Sequence, residues 1–227
     1  MDKELLLLIL KNTKNSPILD LQSIEKDILR KKVVAFLREL EENGMRFQPT
    51  LDGSYQISSE QRTRLVILGM KNGLDFDKII QQLTWQEFEL LTTTVGDEFG
   101  FEAKTGLNFS SGERKYQIDV VLKNKPFVLF IDCKHFGGTG KKSALKKAVE
   151  EQIERAKALA KKVTDLQEKL KIASWKKIIF MPLIITWLDD EIYFYEKVPV
   201  VPFTKLRSFF DDFYIYFKDI LQLEISK

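Results

Sequence analysis

"YQIDVVLKNKPFVLFIDCKHF", residues 116–136, sets Asp119, Asp132 and Lys134 inside sequence that is otherwise apolar and strand-like. Two β-prone runs, "YQIDVVLK" and "PFVLFIDCKH", flank Asn124-Lys125, and asparagine tolerates the left-handed backbone that tight hairpins require. A turn there makes the runs antiparallel partners and brings Asp119 opposite Asp132, where facing Cβ atoms lie about 4.5 to 5.5 Å apart. Period-two alternation puts Lys134 on the same face, two residues beyond Asp132. It sorts Ile118, Val120, Leu122, Leu129, Ile131 and Cys133 onto the other. A one-residue slip would bury aspartate among Ile and Leu, which is costly without a partner. The expectation is a hairpin with one apolar face and one reactive face.

Two carboxylates held side by side repel, and one is driven toward its protonated form unless a cation lies between them. Mg²⁺ or Mn²⁺ suits such a pair, because hard cations take oxygen ligands and Mg²⁺ commonly combines one or two carboxylates with waters and phosphate oxygens. A lysine at the edge of the site can hold a water or offset charge developing on a phosphate. The chain has one cysteine and one histidine, which excludes an internal disulfide, a multi-cysteine zinc site and a histidine-rich metal site. Cys133 falls on the apolar face and reads as a packed thiol. His135 reads as strand-end packing or a DNA contact.

The 227 residues are 44% hydrophobic, enough for a substantial core. Lys and Arg number 36 against 33 Asp and Glu, so affinity for an anionic partner must come from clustering rather than from net charge. The densest basic region is residues 134–162, with nine basic residues, Lys141 and Lys142 among them, against Glu150, Glu151 and Glu154. Its "GGTGKKS" lacks the glycine spacing of a phosphate-binding P-loop. The apolar run Leu5 to Leu10 is far shorter than the roughly 20 residues of a membrane span and carries no signal-peptide cleavage pattern. A cytoplasmic protein with no membrane partner is expected.

Ahead of the hairpin, "DKELLLLILKNTKN", a segment starting at the N-cap type residue Asp20, and "RKKVVAFLRELEENG" read as three helices. "MRFQPTLDGSYQIS" then carries the hairpin signal Asp52-Gly53. Three helices and a hairpin is the winged-helix order, giving domains at 1–83 and 84–227. A helix at 59–72 and a short one before Leu83 complete the first. The second reads as helix (84–99), strand (101–110), the hairpin (114–134), a long helix (142–170), strands in "KKIIFMPLIITWL" and "EIYFYE", and a last helix from Thr204. This is an α/β domain with a mixed central sheet and helices on its faces. In the long helix Leu145, Val149, Ala156, Leu159, Val163, Leu166 and Leu170 form the apolar stripe. Gln152 interrupts it, either near an exposed start or facing the site.

A helix bearing an acid, an aspartate on one strand and Asp-x-Lys on the next resemble the PD-(D/E)xK nuclease superfamily, of restriction-endonuclease-like α/β/α fold. "TWQEFELL", "DEFGFEA", "IDVV" and "IDCKHF" look like its Mrr-type and archaeal Holliday-junction-resolvase-like branch. Ile118 stands where the family name has proline, and Asp132 holds a position often taken by Glu. The resemblance implies a Mg²⁺- or Mn²⁺-dependent DNA endonuclease of repair, recombination or restriction. Asp119 and Asp132 would be metal ligands, Lys134 the catalytic lysine, and Glu89 the helix acid that assists the metal. Glu89 fits the family context better than Glu87, although the helical wheel does not choose between them. Gln152 and Gln117 would support these residues from behind.

On the third N-terminal helix Arg30, Lys31, Lys32 and Arg38, with Arg46 after it, are what a helix entering the major groove uses, whereas Glu39, Glu41 and Glu42 repel phosphate. The domain therefore reads as binding either DNA or protein. A double-strand cutter or junction resolvase would need two active sites, and so a homodimer. The alternative reading is a DNA-binding or regulatory protein that uses the nuclease-like fold as a platform without catalysis.

Overall fold

The computed structural model describes residues 1–134, 142–189 and 192–226. The chain divides into two compact units, Met1–Phe88 and Glu89–Lys227. The division falls inside a helix rather than at Leu83.

The first unit runs α1 (Lys3–Asn12), β1 (Ile18–Leu19), α2 (Asp27–Glu42), β2 (Gln48–Pro49), β3 (Tyr55–Gln56), α3 (Ser59–Lys71) and α4 (Phe76–Ile80). Asp2 caps α1 through its carboxylate, and Ser58 with Gln61 forms a capping box on α3. The hairpin signal holds: β2 and β3 pair antiparallel around Gly53 at φ 81°. The helix expected from Asp20 is absent. Asp20 Oδ1 instead accepts from the Gln22 N–H at 2.8 Å and its carbonyl accepts from the Ser23 hydroxyl at 2.7 Å. The same side chain that caps helices also makes a local turn, and here the turn wins. The order is therefore helix, strand, helix, hairpin, with β1 added to β3 to give a three-stranded sheet.

In the second unit α5 (Trp85–Glu98), which begins before the division, leads to β4 (Glu102–Ser111), β5 (Arg114–Asn124) and β6 (Phe127–Lys134). After them come α6 (Lys142–Lys161), α7 (Val163–Leu166), β7 (Lys177–Thr186), β8 (Phe194–Tyr195) and β9 (Val198–Pro202). The unit closes with α8 (Leu206–Asp211), α9 (Phe213–Tyr216) and β10 (Leu223–Ser226). The strand order is β4-β5-β6-β7-β9-β8, with β10 also on β7. β6, β7 and β9 run parallel and the other pairs antiparallel, so the sheet is mixed as expected. The long helix ends at Lys161 rather than near residue 170, while its stripe residues are buried throughout. β9 and β10 are not legible in the sequence: β9 holds two prolines in five residues and β10 is a short, half-exposed segment.

Two details of the central hairpin differ from the sequence reading. The turn residues are Lys125 and Pro126, with Asn124 paired to Phe127. The register is nonetheless the expected one, since Val120 faces Ile131 and Leu122 faces Leu129. Nor is one face left for charges alone. Val121, Val128 and Phe130 form a core cluster with Ala156 and Leu159 of α6, while on the opposite face Cys133 approaches Thr92 of α5 at 3.9 Å. A sheet covered on both sides needs apolar residues on both, so the charges collect at one end of a face rather than along it. Ile118 also moves: it joins the cluster of Val121 and Phe130 instead of the Val120 face. The β4–β5 ladder skips Gly106 and Asp119, and Gly106 takes a positive φ of 64° there.

Candidate active site

The two aspartates stand where strand pairing gives way to side-chain contacts. The β5–β6 ladder reaches Val120 and Ile131. One residue further the Asp119 carboxylate takes over, accepting the Cys133 backbone N–H through Oδ2 at 2.9 Å. Asp119 is 8% exposed and Asp132 5%. Burial, and next the charge of Asp132, pushes the Asp119 carboxyl from 3.8 up to about 6, against the opposing pull of the Cys133 N–H, Lys134 and Arg155.

Asp132 lies between two cations. Lys134 Nζ is 2.8 Å from Oδ2, and Arg155 Nη1 donates to Oδ1 at 2.7 Å. The lysine approach is an ion pair without hydrogen-bond geometry, so the buried Oδ2 has no hydrogen-bond donor. Gln152, fully buried, donates to the Phe130 carbonyl at 2.8 Å and accepts from Arg155 Nη1 at 3.1 Å. Its place is inside, not at an exposed helix start, and its two bonds fasten α6 to β6 while aiming the guanidinium. Sequence reading finds Arg155 only as one basic residue of its helix. The signal that marks it out is its spacing of three from Gln152, which puts both on one helix face.

The two helix acids separate cleanly. Glu87 is buried against Arg62, whose Nε lies 2.5 Å from Oε1, and it accepts the Thr84 N–H at 2.9 Å. Arg62 also donates to the Leu10 and Gln82 carbonyls and to Thr13, so this acid is committed to the first unit. Glu89 is buried in the second unit, one helical turn before Thr92. Its charge is among those that, after burial and Asp119, raise the Cys133 thiol well above its usual range. That thiol is wholly buried and protonated, consistent with packing.

The remaining expectations fare differently. Gln117 is exposed on β5 opposite Asn108, not behind the aspartates. Arg30 turns inward, donating to the Ile24 carbonyl at 2.6 Å, because the turn that replaces the expected helix leaves that carbonyl unbonded. Lys31 is exposed and pairs with Asp27, and Lys32 is exposed. Lys142 is exposed at the start of α6, and His135 and Lys141 lie outside the described residues.

The donor set fits a hard divalent cation in kind: the carboxylate oxygens of two neighbouring aspartates, one of those oxygens buried without a hydrogen-bond donor. Among the described residues no group of three or more His, Cys, Asp or Glu side chains is arranged to hold a metal ion. Such an ion would rest on the two aspartates.

No protein-family model matches the chain, and none of the curated proteins matches it. Among solved structures it is similar to AF1548, a protein of unknown function, at 16% identity and a TM-score of 0.29, over 52% of this chain and 58% of that one. It is also similar to protein VC1899 from Vibrio cholerae, at 11% identity and a TM-score of 0.37, over 96% of this chain and 51% of that one. The chain thus spans just over half the length of these two structures.

Proposed function

We propose that the protein is a metal-dependent nuclease of the PD-(D/E)xK kind that hydrolyses phosphodiester bonds in DNA. The observation that carries this reading is the meeting of Asp119, Asp132 and Lys134 at one end of β5 and β6, with Asp132 Oδ2 buried and lacking a donor. Mg²⁺ or Mn²⁺ held by Asp119 and Asp132 would supply charge neutralisation of the phosphate and a reactive water near neutral pH. The chain's own groups do the rest. Lys134, one-fifth exposed at its side chain, reaches from the aspartates toward solvent, where it can orient a water or meet charge building on a phosphate oxygen. Glu89 adds a buried acid from α5 that can accept a proton or a hydrogen bond at the same strand end. Exposed lysines 146, 147, 157 and 161 on α6 offer contacts to the DNA backbone.

Incubation of labelled linear, branched and single-stranded DNA with the protein and Mn²⁺ should yield cleavage of at least one form. Lys134→Ala should abolish it, by about 10² or more in rate, while DNA affinity stays within a few-fold. Undiminished cleavage by that variant would overturn the mechanism. A second reading, a DNA-binding platform without catalysis, draws on the cations already present at both oxygens of Asp132. It predicts that Asp119→Asn changes neither Mn²⁺ binding nor any activity.

A further inference from the structure

The nuclease reading leaves Arg155 unassigned, yet Arg155 sits on the carboxylate that a metal would need. Asp132 accepts from it at 2.7 Å and has Lys134 on its other oxygen. With Asp119 alongside, two carboxylates already face two cations. Adding a divalent ion would leave a large excess of positive charge in a site whose aspartates are almost fully buried, and such an excess is expensive there. Either the ion stays out or one resident cation moves.

Arg155 has somewhere to go. Its Nη2 lies 3.8 Å from Oε2 of Glu151, one turn earlier on the same helix, and Glu151 is 39% exposed at its side chain. Its Nη1 is also held by Gln152 Oε1 at 3.1 Å, so the guanidinium keeps one anchor whichever acid it favours. Lys134 lies on the strand of Asp132 itself, and no second carboxylate pairs with it among the described residues. One guanidinium thus lies within 4 Å of two acids, Asp132 and Glu151.

We infer, resting on the nuclease reading, that Arg155 is the site's resident counter-ion. A divalent cation displaces it from Asp132 toward Glu151, so that metal loading and the position of the guanidinium are coupled. Arg155 is then a positioning residue: it keeps the paired aspartates compensated until the ion arrives. By linkage, a group that binds the empty state in competition with the ion weakens the ion's affinity, and removing it strengthens that affinity.

Calorimetric titration with Mn²⁺ alone, without DNA, tests this in the full chain. Arg155→Met should bind Mn²⁺ about tenfold more tightly than the unmodified protein, the size expected for losing one competing charge at a buried carboxylate. Glu151→Gln should bind it more weakly, since the guanidinium loses its alternative anchor. In the Arg155→Met background Glu151→Gln should have no further effect. Arg155→Lys, which keeps the charge, should stay near the unmodified affinity and guards against a fold defect in the methionine variant, as does its unfolding temperature in EDTA. A guanidinium that stays on Asp132 would also shift the two single variants in opposite directions by charge alone, but Glu151→Gln would then weaken binding just as much in the Arg155→Met background. Equal or weaker Mn²⁺ binding by Arg155→Met, with the unmodified protein binding normally, overturns the exchange and leaves the nuclease reading standing. No Mn²⁺ binding by the unmodified protein or by Arg155→Met overturns both.

Discussion

Asp119 has its titration moved by burial and by a second carboxylate, and the consequence is measurable without any substrate. Its carboxyl is raised from 3.8 to about 6 in the folded chain, chiefly by burial and then by Asp132. A group raised in this way binds a proton more tightly folded than unfolded. Its contribution to stability is complete below pH 4 and disappears as pH climbs through 6. In EDTA, the unmodified protein should therefore lose about 2 kcal/mol relative to Asp119→Asn between pH 4 and pH 7. Urea unfolding of both proteins across that range checks it, and a constant difference between them would refute the assignment. The same ionisation makes Mn²⁺ affinity rise over this interval, because the ion needs the carboxylate. The identities of Asp119, Asp132 and Lys134 are legible in the sequence because strand alternation is local. Arg155 and the bond from the Cys133 N–H are not, because both depend on where α6 and the end of β6 meet.

Among the secondary-structure elements, α5 packs against β5 through a gap sized for glycine. A Cβ on Gly96 would lie 2.6 and 2.7 Å from the two δ-carbons of Leu122, which is itself fully buried. Gly96→Ala gains about 1 kcal/mol of helix propensity. Overpacking of a closed core costs about 1 to 3 kcal/mol. The variant should be destabilised on balance, by about 1 kcal/mol, as read by thermal denaturation; a stabilised variant would mean that the α5–β5 contact is looser than described. The elements that sequence reading places well are those whose pattern closes locally: α3 between its capping box and Gly73, the hairpin at Gly53, and the stripe of α6. It fails where one residue serves two local structures, as at Asp20, and where strands are defined by their neighbours rather than their own pattern, as with β9 and β10.

Across the full chain, a net charge of +3 spread over 69 charged residues, 36 basic and 33 acidic, cannot by itself attract a polyanion strongly. DNA affinity, on the nuclease reading, must come from the exposed lysines of α6. Replacing Lys146, Lys147, Lys157 and Lys161 by glutamine should flatten the dependence of log Kd on log salt by about 0.9 for each phosphate no longer neutralised. Fluorescence anisotropy between about 50 and 200 mM salt, a range in which such ion pairs respond steeply, measures the slope. An unchanged slope would place the DNA elsewhere on the surface. No helix among the described residues is long and apolar enough to cross a membrane.

The order of side chains along two adjacent strands was enough to set the pairing of β5 with β6 and the convergence of two aspartates and a lysine, because register and alternation follow from that order. That Glu87 is engaged by Arg62 came from the packing of the folded chain. From the same source come the core residues on the charged face and the arginine of α6 that rests on Asp132. Those outcomes turn on which surfaces meet when separate elements pack, and packing partners distant along the chain leave no periodic trace within it.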